Sequence, residues 1–370
     1  MATPEEEILR IHAEPLRHFC TRVFEKLNVP VEDASVVADV LVSADLRGID
    51  SHGVARLRRY VQGLRDGTII ARPLEQIVRE TPTTALIDAG GGLGQPVSRR
   101  AMTLAIQKAG QYGSGFVAVR NSNHYGIAGY YAMMALEHDY IGFSMTNADV
   151  LVVPTFGRNA MLGTNPIAIA APAGQERPFV LDMATSTVPR GKLEVYHRLG
   201  HPMPLGWATD EHGLPTDDAG RVLENLKRRA GGGLLPLGGA GELMSGHKGY
   251  GLALWVDIFC AVLSGAAYAD LVYPRAADGT PLPADLGHFF GAWRVDGFRP
   301  VEEFKAAMDE LQRRLKNAPK AEGQSRIYIH GEKEYEETER RSREGIPLSS
   351  KVAADLRAIG EDIGVPFPTP

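Results

Sequence analysis

Two histidine-bearing segments hold the side chains best suited to acid–base chemistry. The first, DLRGIDSHGVARLRRY, places Ser51, His52 and Arg56 close together. A helix that begins near Ser51 would put His52 and Arg56, four residues apart, on one face. An imidazole moves a proton at neutral pH, and a guanidinium holds a carboxylate through two hydrogen bonds. Oxidation of a 2-hydroxy acid, or reduction of a 2-keto acid, needs this pair. The simpler alternative is a solvated histidine beside a surface arginine, with Ser51 as a helix cap.

The second segment, RNSNHYGIAGYYAMMA, ends a predicted strand in polar residues and a glycine before a helix begins. Polar side chains between a strand and a helix N-terminus are well placed for a ligand. His124 is the titratable group of this segment. A turn that caps the helix, with His124 bonded only locally, is the alternative.

Further polar positions suit a cofactor. Thr146-Asn147 and Thr164-Asn165 each lie at a strand edge, where small side chains and free amides suit ribose and diphosphate. Asp182 ends the apolar strand PFVLDMA, where an unpaired carboxylate is costly, so we expect a histidine, an amide or a ribose as its partner. Lys248, in GHKGYG at the start of a helix, suits a phosphate. Taken singly, each is also typical of a turn or a surface.

A glycine-rich stretch is similar to a dinucleotide-binding fingerprint but does not match it. DAGGGLGQPVSRRAM follows a strand and opens a helix, but neither the frame from Gly90 nor that from Gly92 has glycine at the sixth place. The next strand, GFVAVRN, ends in Arg120 and Asn121 rather than in an acid that could hold a ribose. We therefore interpret the stretch as a plain turn and expect no Rossmann domain.

Metal and nucleophile chemistry are weakly supported. His197 and His201 are four residues apart with Glu194 one turn earlier, but LGHPM places His201 beyond the helix end. No HExxH, CxxC or GxSxG motif occurs. We predict no metal site.

The elements that must position these residues fall into two patterns. Helical spacing of apolar residues runs through the N-terminal segment, with a third helix after Asp50 and Ser51. From Thr83 onward, short β-rich runs alternate with helices, which places a candidate domain boundary near Arg72–Pro82. The predicted strands are TTALIDA, GFVAVRN, IGFSMTN, NPIAIAAP, PFVLDMA and a short one at Ile327–His330; the later predicted helices are Pro96–Gly110, Ile127–Asp139, a buried Gly249–Gly265, Val301–Asn317, EKEYEETERRSREG and Lys351–Gly364, with a long loop at Tyr268–His288. NPIAIAAP and PFVLDMA have hairpin spacing, so we expect an α/β (α+β) fold with a mixed or largely antiparallel sheet.

Composition narrows the class of protein. The 370 residues are 44% hydrophobic and 23% charged, enough for a large core in about two domains. A net charge of −5 provides no basic excess for nucleic acid. The acidic start MATPEEEILR is unlike a targeting peptide, and the apolar run Gly251–Ala267 contains Asp257, so we expect no membrane span. Two widely separated cysteines indicate a reducing compartment, and we expect a soluble cytoplasmic protein.

Together the motifs resemble one family. SADLRGIDSHGVARL, GGLGQPVSRRAM, VAVRNSNHYGIAGYYA, the GTNP of LGTNPIAIAAP, LDMATSTVPRGK, GWATDEHGLPTDD, GHKGYGLAL and DLGHFF, in this order, are similar to the type 2 malate/L-lactate dehydrogenases. This family also includes ureidoglycolate, sulfolactate and diketogulonate oxidoreductases and cyclic-imine reductases. The resemblance implies an NAD- or NADP-dependent enzyme with a non-Rossmann α/β cofactor domain at 78–334. It also implies a helical domain from 1–77 plus about 335–370, and a homodimer with the active site near the interface.

The resemblance assigns roles by position. His52 or His124 is the acid/base group, Arg56 binds the substrate carboxylate beside Ser51, and Asp182 orients a histidine or binds ribose. The implied cofactor contacts are Asn147, Thr164, Asn165, Asp182, Met183, Ala184, Lys248, His330, Gly331 and Glu332. Ala148 stands where the family often has serine, and 225–246 is longer than usual before the lysine motif.

The expected reaction is hydride transfer between nicotinamide and C2 of a small 2-hydroxy or 2-keto acid of the malate or lactate type. Reduction of a cyclic imine 2-carboxylate and oxidation of ureidoglycolate are the alternatives within the family. A non-catalytic ligand-binding or assembly protein on the same scaffold is the alternative from another class.

Overall fold

Residues 8–369 of the chain are described by a computed structural model, and they form eleven strands and eleven α-helices. The strands are β1 (Ile8–Ile11), β2 (Gln76–Glu80), β3 (Thr84–Asp88), β4 (Ser114–Ser122), β5 (Tyr140–Thr146), β6 (Ile167–Ala171), β7 (Phe179–Met183), β8 (Ala208–Thr209), β9 (Gly233–Leu234), β10 (Leu286–Arg294) and β11 (Ile346–Ser349). The helices are α1 (Ala13–Lys26), α2 (Val31–Leu46), α3 (Leu57–Arg65), α4 (Gly94–Tyr112), α5 (Ala128–Met133), α6 (Arg190–Leu199), α7 (Ala219–Arg228), α8 (Gly246–Asp257), α9 (Val301–Lys316), α10 (Glu332–Glu344) and α11 (Ser350–Ile363).

A mixed seven-stranded sheet organises the cofactor-domain region predicted from the sequence. Its order is β2-β3-β4-β10-β5-β6-β7. Only β3 and β4 pair in parallel; every other neighbouring pair is antiparallel. The predicted hairpin is the β6–β7 pair, in which Ile169 lies opposite Leu181. The expectation of a largely antiparallel sheet is therefore confirmed.

Helices cover both faces of this sheet. On one face, α4 and α5 pack on inward side chains such as Val117, Val119 and Phe290. On the other face, α8 and the turn after it pack on the alternate residues, including Phe289. Because neighbouring residues on a strand point to opposite faces, Phe289 and Phe290 belong to different cores.

The two ends of the chain share a separate core. β1 pairs antiparallel with β11, with Ile11 opposite Ile346. Buried residues of α1, α2 and α3 form one apolar cluster with buried residues of α11, such as Leu356. This arrangement places C-terminal elements beside N-terminal helices. The division into domains at 1–77 plus about 335–370 and at 78–334 stays a prediction.

The central strand β10 is the main element that the sequence interpretation missed. The loop predicted over Tyr268–His288 extends three residues too far, because β10 begins at Leu286 and continues to Arg294. A strand that is buried on both faces shows no alternation of polar and apolar residues, so its pattern is weak. Its buried polar residue, His288, lies between Ser122 Oγ, 2.8 Å from Nε2, and Thr146 Oγ1, 2.7 Å from Nδ1.

The predicted helix from Ser51 is also wrong in detail. The chain makes two 3-10 turns, at Asp50–His52 and Val54–Arg56, before α3 begins at Leu57. Gly53 separates the turns with an extended backbone, φ −83° and ψ −153°. The helical argument for placing His52 and Arg56 on one face therefore fails.

Three further elements differ from the sequence interpretation. Ile327–His330 is not a strand, although the His330 carbonyl accepts a hydrogen bond from the Val180 amide at 3.1 Å. The helix predicted over Ile127–Asp139 is α5 followed by a 3-10 turn at Met134–His138. The helix predicted as buried over Gly249–Gly265 begins at Gly246, and after Asp257 it continues as a π-helical turn, Ile258–Val262. Its outer side chains are exposed: Ile258 is 51% and Val262 59% accessible.

Two observations concern the N-terminal stretch and membrane-spanning helices. The acidic stretch that we predict is not a targeting peptide lies mostly in residues 1–7, outside the described region. Between residues 8 and 369, no helix combines the length and the apolar character that crossing a membrane requires.

Candidate active site

His124 lies in a polar loop between β4 and α5 and contacts a buried tyrosine. Its Nδ1 is 2.7 Å from the hydroxyl of Tyr60, which α3 contributes from the other core. Tyr60 is 0% exposed. Sequence reasoning missed Tyr60, although it lies between Leu57 and Val61 on an otherwise apolar face, where a buried hydroxyl needs a partner.

The contacts of His124 indicate which of its two ring nitrogens carries the proton. The Gly126 amide also approaches Nδ1, at 3.3 Å, so Nδ1 is an acceptor in this arrangement and the proton of the neutral ring is assigned to Nε2. In the other tautomer, Nδ1–H would donate to the Tyr60 oxygen and leave the Nε2 lone pair free. Because a hydroxyl both donates and accepts, Tyr60 can satisfy either tautomer.

The glycine-rich turn between β3 and α4 supports the His124 loop. The Asn123 amide group donates to the carbonyls of Gly91 (3.1 Å) and Gly92 (2.9 Å). A Cβ added to Gly94 would lie 2.1 Å from the Asn123 carbonyl oxygen. The stretch that resembles a phosphate loop therefore allows two backbone segments to approach closely.

The structure brings the second histidine to the same place. The rings of His52 and His124 are stacked, with centroids 5.6 Å apart and planes 23° apart. Ser51 Oγ lies 2.9 Å from His52 Nδ1. Burial, followed by the charges of Arg56 and Arg59, lowers the pKa of His52 to about 4. Burial, followed by the charge of Arg59, also lowers the pKa of His124 well below its usual value. Both rings are therefore neutral at pH 7.

A buried carboxyl group holds the turn that carries His52. Asp45 Oδ2 accepts a hydrogen bond from the Val54 amide at 2.8 Å. Burial raises the pKa of Asp45 to about 8. Arg341, from α10, donates to the Asp45 carbonyl at 2.7 Å and pairs with Asp50. No sequence signal identified the Arg341 contacts, because they join residues almost 300 positions apart.

A cleft of about 290 Å³ opens in front of His124. Its lining includes Tyr60, Asn123, His124 and also Arg59, a cation that sequence reasoning missed. Arg59 donates to the hydroxyl of Tyr273 at 2.6 Å. The predicted carboxylate ligand, Arg56, does not line this cleft; its Nε donates to the Ser51 carbonyl at 2.6 Å, so it lies against the His52 turn.

A second cleft, of about 240 Å³, contains three of the predicted cofactor residues, Asp182, His330 and Gly331. Asp182 Oδ2 accepts a hydrogen bond from the Gly129 amide at 2.7 Å. The expected partner of this carboxylate is thus an amide, and among residues 8–369 no hydrogen bond joins it to His52 or His124. Burial raises the pKa of Asp182 to about 6. Gly129 lies in the first turn of α5, so this short helix connects the second cleft to the His124 loop.

Other predicted cofactor residues have side chains engaged within the protein. The Asn147 amide group donates to the Ala267 carbonyl (2.8 Å) and accepts from the Gly287 amide (3.0 Å). Asn165, fully buried, donates to the Ala253 carbonyl (3.0 Å) and accepts from the amide of Ala148 (3.2 Å). Glu332 accepts from the Ile329 amide (3.0 Å) and pairs with Lys316 and Arg326.

The remaining predicted cofactor positions are more open. Lys248 is exposed on the first turn of α8, and Thr164, Met183 and Ala184 are partly buried near the ends of β6 and β7. All these cofactor roles stay predictions. In the described part of the chain, no group of three or more histidine, cysteine or acidic side chains is arranged to hold a metal ion.

Comparison with known proteins identifies the family of this chain. The sequence profile described as malate/L-lactate dehydrogenase matches residues 11–357. A malate dehydrogenase of Pyrococcus abyssi is 50% identical, over 98% of this chain and 97% of its own. An L-sulfolactate dehydrogenase of Methanocaldococcus jannaschii is 41% identical over 93% of this chain and 94% of its own. The solved malate dehydrogenase of Pyrococcus horikoshii OT3 superposes with a TM-score of 0.89 at 45% identity, covering 100% of this chain and 99% of that one. The chain therefore belongs to the malate/L-lactate dehydrogenase family and is an oxidoreductase of 2-hydroxy acids.

Proposed function

We propose that this protein oxidises malate, or a closely similar 2-hydroxy acid, with NAD or NADP, and that His124 is its acid/base group. The observation that carries the proposal is the His124 ring, which a fully buried tyrosine hydroxyl holds at the wall of a cleft that also contains a cation. The 41–50% identity to proteins named malate and sulfolactate dehydrogenases supports the choice of substrate.

The second cleft is suited to the nucleotide. Asp182 offers a carboxylate for ribose hydroxyls, and Arg47 and Lys333 offer cations for phosphates. His330 and Gly331 line the same cleft, and a Cβ added to Gly331 would lie 3.1 Å from Val180 Cβ of β7. The bound nicotinamide would accept the hydride from C2 of the substrate, or return it in the reverse direction.

The chain's own residues handle the substrate and its proton. A neutral imidazole is the form that takes a hydroxyl proton, and the low pKa of His124 keeps it in that form. Tyr60 allows the tautomer that this step needs, because with the proton on Nδ1 the ring donates Nδ1–H to the Tyr60 oxygen and the free Nε2 lone pair can take the hydroxyl proton. Arg56, beside Ser51 and the stacked His52, is the proposed anchor for the C1 carboxylate.

A matrix of substrates and cofactors tests the proposal. Initial rates would be measured with NAD and NADP on malate, lactate and ureidoglycolate, and with reduced cofactor on a cyclic imino acid. Malate should give the highest kcat/KM of the four. A higher kcat/KM for the cyclic imine or for ureidoglycolate would contradict malate as the substrate and assign that compound instead. The absence of turnover with every 2-hydroxy acid would refute the proposed function.

The active unit that we propose is a homodimer. The outer face of α8 and of the turn that follows carries exposed apolar side chains, among them Leu254, Ile258 and Val262. Contiguous exposed apolar surface is typical of a protein interface. Sedimentation equilibrium would show a dimer, and a dimer weakened by Ile258→Asp would place the interface on this face. A monomer at assay concentration would refute the proposed homodimer.

A further inference from the structure

Arg59 has no assigned role, yet it is the arginine that faces the cleft in front of His124. It projects from α3 on the same side as Tyr60, and both line the cleft. Its side-chain hydrogen bond, within residues 8–369, goes to a neutral group, the hydroxyl of Tyr273. The neighbouring arginines on α3 behave differently: Arg58 pairs with Asp355 and Arg65 with Asp362, both on α11. Among residues 8–369, Arg59 thus makes no direct ion pair, although the charge of Asp149 is close enough to act on it.

The surroundings of Arg59 fix its position and direct it into the cleft. The Tyr273 hydroxyl lies 2.6 Å from one terminal nitrogen, and the guanidinium carbon lies 5.4 Å from the centre of the Tyr273 ring. This combination of hydrogen bonding and cation–π contact orients the planar group. Leu282 and Ala284 form an apolar wall of the same cleft. Arg59 itself is exposed, so an anion that enters the cleft can reach its guanidinium.

The chemistry of the proposed reaction uses only one carboxylate, the one next to C2. Arg56, its proposed anchor, lies against the His52 turn, and Arg59 provides a second cationic site in the cleft that Arg56 does not line. From this geometry we propose that Arg59 binds an anionic group at the far end of the substrate. The enzyme accordingly selects 2-hydroxy acids with a second negative charge, a carboxylate or a sulfonate, over those with a neutral tail. This inference rests on the proposed function and adds the basis of its substrate choice.

The test compares malate with malamate, in which an uncharged amide replaces the distal carboxylate. In Arg59→Gln, kcat/KM for malate should fall by about 10- to 100-fold, the effect of losing one charge-assisted hydrogen-bonded pair. The kcat/KM for malamate should stay close to its wild-type value, so the preference for malate collapses. Arg58→Gln is the matched control: it removes the same charge from the adjacent position, where the arginine points to α11, and should leave the preference unchanged.

A second variant tests the same role of Arg59 without replacing the arginine, in case Arg59→Gln alters folding. Tyr273→Phe keeps the ring but removes the hydroxyl that holds Arg59, and it should lower the preference for malate in the same direction, by less than Arg59→Gln. Thermal unfolding of each variant would establish that the fold is retained.

The outcomes separate this inference from the proposed function. Equal losses on malate and malamate in Arg59→Gln would overturn the inference, because Arg59 would then hold the C1 carboxylate. No loss on either substrate would also overturn it. A wild-type enzyme that is inactive on every 2-hydroxy acid would instead refute the proposed function itself.

Discussion

A single methyl group at Gly94 should displace the loop that carries His124. Gly94 is the first residue of α4, and its Cα faces the backbone of that loop. A Cβ built there would lie 2.1 Å from the Asn123 carbonyl oxygen and 2.8 Å from that of His124. Ordinary contact begins at 3.4 Å, so helix and loop must separate by about 1.3 Å. Both contacting atoms are backbone, so no side-chain rotation can relieve the overlap.

The size of the effect follows from this distance. A misplacement of about 1 Å costs roughly 100-fold in rate when it alters the geometry of reacting groups. We therefore expect Gly94→Ala to lower kcat/KM for the preferred 2-hydroxy acid by about 100-fold. The measurement is the initial rate of nicotinamide reduction, followed by absorbance, with nucleotide binding and thermal unfolding measured on the same preparation.

Gly110, near the other end of α4, provides the control. A Cβ there would meet only the Tyr140 hydroxyl, at 3.5 Å, which is ordinary contact. Alanine in a helix is favoured over glycine by about 0.5–1 kcal/mol, so Gly110→Ala should keep full activity and unfold at the same or a slightly higher temperature. A folded Gly94→Ala enzyme with wild-type kcat/KM would refute the idea that the glycine-rich turn positions His124.

Three further experiments test the neighbouring residues. Replacing the acid/base imidazole should lower kcat by about 10²–10⁴-fold, so His124→Ala and His52→Ala would be compared in steady-state assays; wild-type rates in both would exclude histidine acid/base catalysis. Tyr60→Phe removes the hydroxyl at 2.7 Å from His124 Nδ1 and should reduce kcat by about 5-fold with little change in KM, as expected for a lost hydrogen bond of about 1 kcal/mol; an unchanged kcat would show that Tyr60 does not orient the ring. Asp45→Asn tests the buried carboxyl whose pKa rises from 3.8 to about 8 on folding. Between these values the folded state binds more protons than the unfolded state, so wild-type stability should fall as the pH rises from 4 to 8 and the asparagine variant should lack that part of the decline. Urea unfolding at several pH values would show this, and parallel curves for the two proteins would contradict it.

The sequence was informative where a motif is local. The segments around His52 and His124 were identified from residue type and from their position beside predicted strands and helices, and the structure places their rings in contact. Hairpin spacing alone predicted the antiparallel β6–β7 pair. The failed fingerprint at Gly90–Gln95 correctly predicted that this turn is not part of a doubly wound parallel sheet, since only one pair in the sheet is parallel.

The same local reasoning failed where burial or distant contacts decide. The strand β10 is enclosed on both faces, so its apolar residues follow no period; the predicted loop Tyr268–His288 includes its first three residues, and no element is predicted for the rest. The helix predicted from Ser51 is replaced by two short turns, in which the Val54 amide donates to Asp45 rather than to a helical carbonyl and glycine at 53 lets that carboxyl group approach.

The sequence by itself thus determined the family, the class of reaction, the antiparallel character of the sheet and the two histidine motifs, since each depends on residues that are close along the chain. Only the tertiary structure decided which side chains meet at His124. Tyr60 reaches it from another core, Arg59 and Tyr273 come together across more than 200 residues, and Arg341 closes on Asp50 from the last part of the chain. Such contacts depend on how helices and strands pack, and packing of distant segments leaves no periodic signal in the sequence of either one.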